Sequence, residues 1–528
     1  MPGGAAKIMN DAEPNAPGRA QAGPGFLYGW RPFAALFCAG FLLYAHILSF
    51  ELVFFDDNVL LLKNRGVLAG LAGIGRIFSS DVFMMGASMY YRPMLNISFM
   101  ADTMLGGPPF FIFYFTNILL HTASAALLFL FLSRLGRGRA LSFMLSLLFL
   151  FHPALTQAVA WLPGRNDSLL FIFVILSFLN FFKFLEDRAK APFAGYLFFF
   201  LAALFTKETA AVVPFLAALY AALVFSGKIP RRAWAALAAG SLAVLAVWFF
   251  ARSAAFPGTP VSGISVFSNI QENFPALVVL TGKTVFPLDP GIWLTLADAS
   301  FLYGGMALAL LAAAFVFSRG SKKGVLGFGL LWFFVFLVPT LVTVDSVFNG
   351  LATVYVREHR LYLPLAGFLI FFSELKWVRA MDFRDFKARA AAAFVLSSFA
   401  CVSFVHSYNF SGRMFFWENA VAEAPAAALP HLKLGLTYYL AGFTGAAQRQ
   451  YGAVLAINPV EPTVHYNLGL IYADRGARVL AAQEFKKELE IDPGSTPAVE
   501  GLKGLRGWRG LSSGARPPAA RQAPAARR

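Results

Sequence analysis

Charge and cysteine are what this sequence has least of. Of its 528 residues only 14% are charged, and only two, Cys38 and Cys401, are cysteine. Both lie far apart in apolar runs, which excludes a disulfide framework and a thiolate metal site. Histidine is also scarce; His121, His152, His359 and His406 fall near the ends of apolar segments, but no pair has the i, i+4 spacing of a helical metal site, so no metal is expected. A basic-then-apolar leader is missing as well. Residues 1–32 are rich in Ala, Gly and Pro and read as a disordered cytoplasmic tail before an uncleaved first span. So little charge excludes a soluble globular chain.

What is present is apolar. The chain is 58% hydrophobic, with 59 Phe and a mean hydropathy of +0.63, the balance of a polytopic membrane protein. Its net charge of +16 sits mainly in short loops between apolar runs, so it reports orientation and implies no nucleic-acid partner. About eleven segments approach the ~20 apolar residues a crossing needs. They lie near 33–50, 111–132, 140–160, 168–182, 192–206, 209–227, 233–251, 301–318, 325–344, 361–372 and 390–405, within a membrane domain over 33–406. Several are short or contain Pro, which predicts broken helices. Alternate loops carry the cations: Arg134, Arg137 and Arg139; Lys183, Arg188 and Lys190; Lys228, Arg231 and Arg232; Arg319, Lys322 and Lys323; and Lys376 to Arg389. These loops are expected to face the cytoplasm, with long outer loops over 51–110 and 252–300. An apolar stretch near Phe274 to Phe286 is expected to be a peripheral or re-entrant helix.

After the last span a period of 34 residues appears: Pro425, Pro459 and Pro493; Gly435 and Gly469; Tyr438 and Tyr472; Gly442 and Gly476; Ala447 and Ala481; Tyr451 and Phe485; Leu455 and Leu489. This is the tetratricopeptide pattern: small residues let two antiparallel helices approach and aromatics fill the space between them. An outward-facing repeat domain is therefore expected over 407–511, with helices over Arg413–Glu423 and Pro497–Leu505 as caps and a disordered basic tail over 512–528. The fold class that follows is all-α, a membrane helix bundle followed by an α-solenoid.

The chemistry is expected at the outer face. Asp56 and Asp57 stand just beyond the first span, where two acids beside a membrane suggest a general base or a ligand for a polar substrate. Arg92, Arg165, Lys207, Arg357 and Arg360 run against the positive-inside bias, each at a helix end at headgroup depth. Collected from separate spans, they would bind a phosphate whose lipid tail lies on the apolar wall. The plainer reading is local pairing, Lys207 with Glu208, Arg165 with Asp167 and Arg357 with Glu358. His121 is expected to hydrogen-bond a neighbouring helix. Sequons at Asn96, Asn166 and Asn409 are read as coincidence.

Taken in order, these motifs resemble the transmembrane and tetratricopeptide-repeat O-mannosyltransferases: the acidic pair after the first span, Tyr91-Arg92-Pro93, Asn117 to His121, His152-Pro153, Ala158 to Trp161, Gly164 to Asp167, Lys207-Glu208 and Arg357 to Pro364. The likeness runs from about Phe33 to Leu505. It implies a GT-C fold of about eleven spans and inverting, metal-independent transfer of a sugar from a polyprenyl-phosphate donor to a hydroxyl acceptor, with no cofactor besides that lipid-linked donor. Asp56 or Asp57 would be the base, Arg165, Lys207, Arg357 and Arg360 the donor-phosphate ligands, and Arg92, His121, Asp167, Glu208 and Glu358 supporting residues.

The repeat array is shorter than in the animal relatives, and the Ala- and Arg-rich composition looks bacterial, so the sugar stays open, with mannose one candidate. The expected location is a bacterial inner membrane with the repeats in the periplasm, or lumenal repeats in a eukaryote. A protein Ser or Thr acceptor, or a partner, would meet the repeats. Two other readings compete: an O-antigen-type oligosaccharide ligase, and a non-catalytic membrane-anchored repeat scaffold.

Overall fold

A computed structural model describes residues 25–86, 88, 90–106, 109–256, 266–342, 346–348 and 351–507. Of the tail expected over residues 1–32, residues 1–24 lie outside these, as does the tail expected over 512–528; the first helix already begins at Arg31. The chain is helical almost throughout; two short antiparallel strand pairs, Leu294–Thr295 with Tyr355–Val356 and Ser346–Phe348 with Leu351–Thr353, are the exceptions among the described residues.

Each of the eleven apolar segments contains a helix. Five are long and apolar enough to cross a membrane: Arg31–Ser49, Phe111–Arg134, Leu162–Asp187, Arg231–Ala255 and Phe386–Phe410. A sixth crossing counts if Arg139–Leu150 and Pro153–Ala160, bent by 57°, are one span. The bend has a local cause: Pro153 forces His152 into extended backbone (φ −68°, ψ 121°), and the helix stops there. Shorter apolar helices occupy Lys190–Thr206, Glu208–Leu223, Leu302–Phe317, Lys323–Leu337 and Pro364–Glu374. These features make the chain an integral membrane protein.

All five basic loops gather at one end of the bundle. Arg134 meets Glu186, and Arg188 donates to the Lys228 carbonyl. The fully buried Glu374 carboxylate accepts from Arg137, from Arg379 and from the Lys322 amide. The helices therefore alternate end to end, and the long loops fall together at the opposite end. Phe and Trp packing fills the bundle between, with Phe131, Phe178, Phe182, Phe328 and Trp332 buried together. Fully burying each such side chain contributes roughly 1.5–3 kcal/mol where the alternative is water.

The helix Pro275–Val285 has 11 residues, too few to cross alone, and packs tightly on Leu302–Phe317. A Cβ on Gly282 would stand 2.7 Å from the Gly304 nitrogen, so glycine permits this approach. Beyond the last apolar helix, Arg413–Glu423 is followed by two antiparallel pairs, Ala428–Leu440 with Thr444–Ile457 and Val464–Asp474 with Arg478–Ile491, then Thr496–Gly507. Gly435 lies on the Tyr451 ring and Gly469 on the Phe485 ring, where a Cβ would come within 2.6 and 2.5 Å. Gly442 (φ +85°) and Gly476 (φ +75°) turn each pair through left-handed backbone.

The repeat helices pack directly on the loop end of the bundle. One apolar cluster joins Phe50, Leu52, Val53 and Leu60 of the first loop to Trp161, Trp293, Phe410, Phe416, Trp417 and Leu434.

Candidate active site

Two features mark the loop end: a clamped acidic turn and a cavity lined by cations. The turn begins where the first long helix ends at Ser49. Phe54 (φ +60°) and Asp56 (φ +67°) both adopt left-handed backbone, which is rare for residues with a Cβ and costs of order 1 kcal/mol or more each. Surrounding contacts enforce it. The Trp417 indole donates to the Val53 carbonyl (3.1 Å) and the Trp161 indole to the Phe55 carbonyl (3.1 Å). Phe55 stacks on Trp161 (5.6 Å) and is edged by Trp293 (4.8 Å) and Trp417 (5.8 Å).

The two acids have different surroundings. Asp57 is 1% exposed, and its carboxylate accepts from the Val53 amide (2.7 Å) and the Asn58 amide (2.8 Å), closing the turn. Burial pushes its carboxyl up to about 7, with neighbouring Asp56 adding to the rise and the backbone donors opposing it. Asp56 is half-buried, and Lys433 of the repeat region lies within its electrostatic reach.

From Phe55 the ladder of rings continues through Trp161 to His359, at 5.9 Å. His359 Nδ1 is 3.0 Å from Gln157 Oε1, and burial, reinforced by Lys207, Arg357, Arg360 and Arg92 nearby, holds its ring well below the ordinary histidine range. Among these cations lies a narrow cavity lined by Asp167, Lys207, Thr209 and Arg360 together with Leu170, Phe336, Leu363 and Pro364. It has room for about one water. Lys207 bonds Asp167 (2.6 Å), and Arg92 bonds Glu208 (3.0 Å). Arg92 Nε and Thr209 Oγ1 are buried without a hydrogen-bond partner, which leaves two donors unsatisfied. A lining that mixes two cations and an unused hydroxyl with apolar side chains suits an anionic headgroup on a hydrocarbon tail.

The predicted residues divide into those at this site and those away from it. Arg92, Asp167, Lys207, Glu208 and Arg360 come together, with Arg357 near the His359 ring, while Asp56 and Asp57 lie at the other end of the ladder of rings. Arg165 does not join them, which corrects its expected role as a phosphate ligand. It is fully buried, and its guanidinium is occupied by Asp102 (2.5 Å), Asn117 Oδ1 (2.8 Å) and the Phe113 carbonyl (2.6 Å), over the Phe99 ring. With its donors engaged it ties the first long loop to the bundle. Glu358 is also turned away, pairing with Lys283 (3.1 Å) and accepting from the Gly291 amide. His121 bonds the Tyr362 hydroxyl (2.7 Å) and the Leu150 carbonyl (3.0 Å), linking helices deep in the bundle.

None of the three local pairings forms; Lys207, Arg165 and Glu358 each have a partner distant in sequence. Asn96 and Asn166 are buried, so neither sequon is open to modification in this fold. Sequence reasoning missed Thr209, Gln157, Trp161 and Trp417 as site residues. Trp161 closes the motif Ala158 to Trp161, and Thr209 stands two positions after Lys207; Gln157 and Trp417 carried no signal.

No protein-family model matches the chain, and no solved structure does. Among curated proteins it is similar to protein O-mannosyl-transferase TMTC1 of Homo sapiens, 26% identical over 413 residues that cover 64% of this chain and 45% of that protein. It is similar also to TMTC1 of Mus musculus, 31% identical over 189 residues, 34% of this chain and 20% of that protein. Protein O-mannosyl-transferase TMTC2 of Mus musculus is 30% identical over 154 residues, 28% and 18%. The chain thus spans less than half the length of these relatives. The resemblance read from the order of motifs is borne out.

Proposed function

We propose that this chain is a membrane glycosyltransferase of GT-C type that moves a sugar from a polyprenyl phosphate to a hydroxyl acceptor, a protein Ser or Thr, at the outer face of the membrane. In this reading all eleven apolar helices cross, the basic end is cytoplasmic, and the helix pairs after residue 412 are a tetratricopeptide array that meets the acceptor. The relatives' names supply the class of reaction. The observation that carries the proposal is the half-buried Asp56, held on a strained turn and joined by one aromatic ladder to a cavity with cations and unsatisfied donors.

Asp56 is the base and Asp57 the residue that closes the turn, because the Asp57 oxygens are buried and bound to backbone amides. Asp56 takes the proton of the acceptor hydroxyl as its oxygen attacks the anomeric carbon. The bond from that carbon to the phosphate oxygen breaks on the opposite side, which inverts the centre. Lys207, Arg360, Arg92 Nε and Thr209 Oγ1 stabilise the charge gathering on the departing polyprenyl phosphate. Leu170, Phe336, Leu363 and Pro364 take the first part of its tail. The phosphate is larger than the water-sized cavity, so entry requires the lining side chains to part.

The test is sugar release from labelled polyprenyl-phosphate donors by the purified protein in lipid nanodiscs. Asp56→Asn abolishes turnover in a folded protein, Asp57→Asn retains part of it, and Lys207→Gln weakens donor binding. Full turnover in Asp56→Asn would remove the base; no turnover with any donor by the wild type would favour the ligase or scaffold reading.

A further inference from the structure

The first repeat differs from the second where it faces the acidic turn. Thirty-four residues separate equivalent positions, so Lys433, Thr437 and Tyr451 correspond to Asn467, Ile471 and Phe485. The second pair packs with an isoleucine and a phenylalanine at these places, and Gly469 lies on Phe485 as Gly435 lies on Tyr451. Helix pairing therefore does not need the Thr437 hydroxyl, the Tyr451 hydroxyl or the Lys433 ammonium.

These groups gather around Arg413, which lies within electrostatic reach of both Lys433 and Tyr451. Arg413 donates from Nε to Thr437 Oγ1 (2.9 Å), and its guanidinium lies over the Phe54 ring (4.8 Å), beside the turn that carries Asp56 and Asp57. Thr437 lies one helical turn from Lys433 and donates to its carbonyl. The Tyr451 side chain is completely buried, yet its hydroxyl has no hydrogen-bond partner. Among the described residues the Lys433 ammonium forms no hydrogen bond or ion pair within contact distance. Burial holds that amine below its ordinary range, with Arg413 and Lys63 adding to the effect and Asp56 opposing it. A buried hydroxyl without a partner and a cation crowded by other cations both gain if an anion enters.

We propose that Arg413, Lys433 and Tyr451 form an acceptor-side subsite for a carboxylate, and that the acceptor is a peptide whose Ser or Thr has an Asp or Glu one or two residues away. The proposal rests on the glycosyltransferase reading for its meaning, since the subsite borders the proposed base. A side-chain carboxylate fits better than a phosphate, because Asp56 and Asp57 lie alongside and a second negative charge would be repelled. In an extended peptide, neighbouring side chains are spaced by about 3.3 Å per residue, so a hydroxyl at Asp56 and an acid at Lys433 belong to nearby residues.

The experiment measures binding of fluorescent peptides to the full-length protein in nanodiscs without donor. Paired peptides carry one Thr flanked by either Asp or Asn. The Asp peptide is expected to bind about tenfold more tightly, the scale of one charge-assisted contact. Lys433→Gln should reduce the difference to twofold or less. Tyr451→Phe, which reproduces the residue of the second repeat and so preserves packing, should weaken the Asp peptide about threefold. Equal binding of the two peptides, binding of neither, or an undiminished preference in Lys433→Gln would overturn the subsite. Because no donor is present, these outcomes are independent of the Asp56→Asn turnover test.

Discussion

Replacing Asp57 by Asn should reverse its effect on stability between acid and alkaline pH. In the closed turn the Asp57 carboxyl titrates near 7, against an ordinary value of 3.8 once the turn opens. Below 3.8 both states hold the proton. Between 3.8 and about 7 the closed turn keeps a proton that the open one releases, so stability falls as pH rises, and above 7 the loss is complete. About three pH units at ~1.4 kcal/mol each make that loss about 4 kcal/mol. Asn does not titrate, so it avoids the loss. It keeps one acceptor oxygen but leaves one of the Val53 and Asn58 amides without its partner, at about 1–3 kcal/mol. The variant should therefore be less stable than wild type at pH 4 to 5 and more stable at pH 8. Thermal midpoints in nanodiscs would show the two curves crossing, and hydrogen exchange at the Val53 and Asn58 amides would localise the change. A variant that is less stable by the same margin at both pH values would mean that Asp57 is ionised throughout, and the argument for its protonated state would fail.

Three further outcomes follow from the same contacts. Arg165→Met should lower stability by about 3–5 kcal/mol, because it leaves Asp102 buried and unpaired, and adding Asp102→Leu should restore much of the thermal midpoint. Gly435→Ala and Gly469→Ala should each cost about 1–3 kcal/mol by forcing a Cβ onto the Tyr451 or Phe485 ring, read as faster limited proteolysis of the repeat helices. Trp417→Phe keeps the ring packing and removes the donor to Val53; donor turnover should fall several-fold while the donor KM stays unchanged, and a change in KM alone would show that the clamp serves donor binding instead.

The helices were legible because their causes are local. An apolar run, a proline at residue 153 and glycines repeated at 34 residues each act on the few residues around them, and the helix over Arg413–Glu423 appears within its expected bounds. The partners of the charged groups were not legible, and backbone geometry explains why. Lys207 is extended (φ −157°, ψ 135°) where one helix ends and the next turn begins, so its side chain and that of Glu208 diverge. Lys207 turns to Asp167, 40 positions earlier, and Glu208 to Arg92, 116 positions earlier. Arg165 and Asp167 stand two apart at the start of one helix, a spacing that puts them on different faces. Arg165 therefore crosses to Asp102 on the first long loop, while Asp167 lines the cavity. These neighbouring opposite charges are thus split: Lys207 and Asp167 line the cavity, while Arg165 binds Asp102 and Glu208 holds Arg92. Such a crossed network ties the first long loop, the start of the helix at Arg165 and the turn at Lys207 to one another, and that fixes the charged groups that line the cavity.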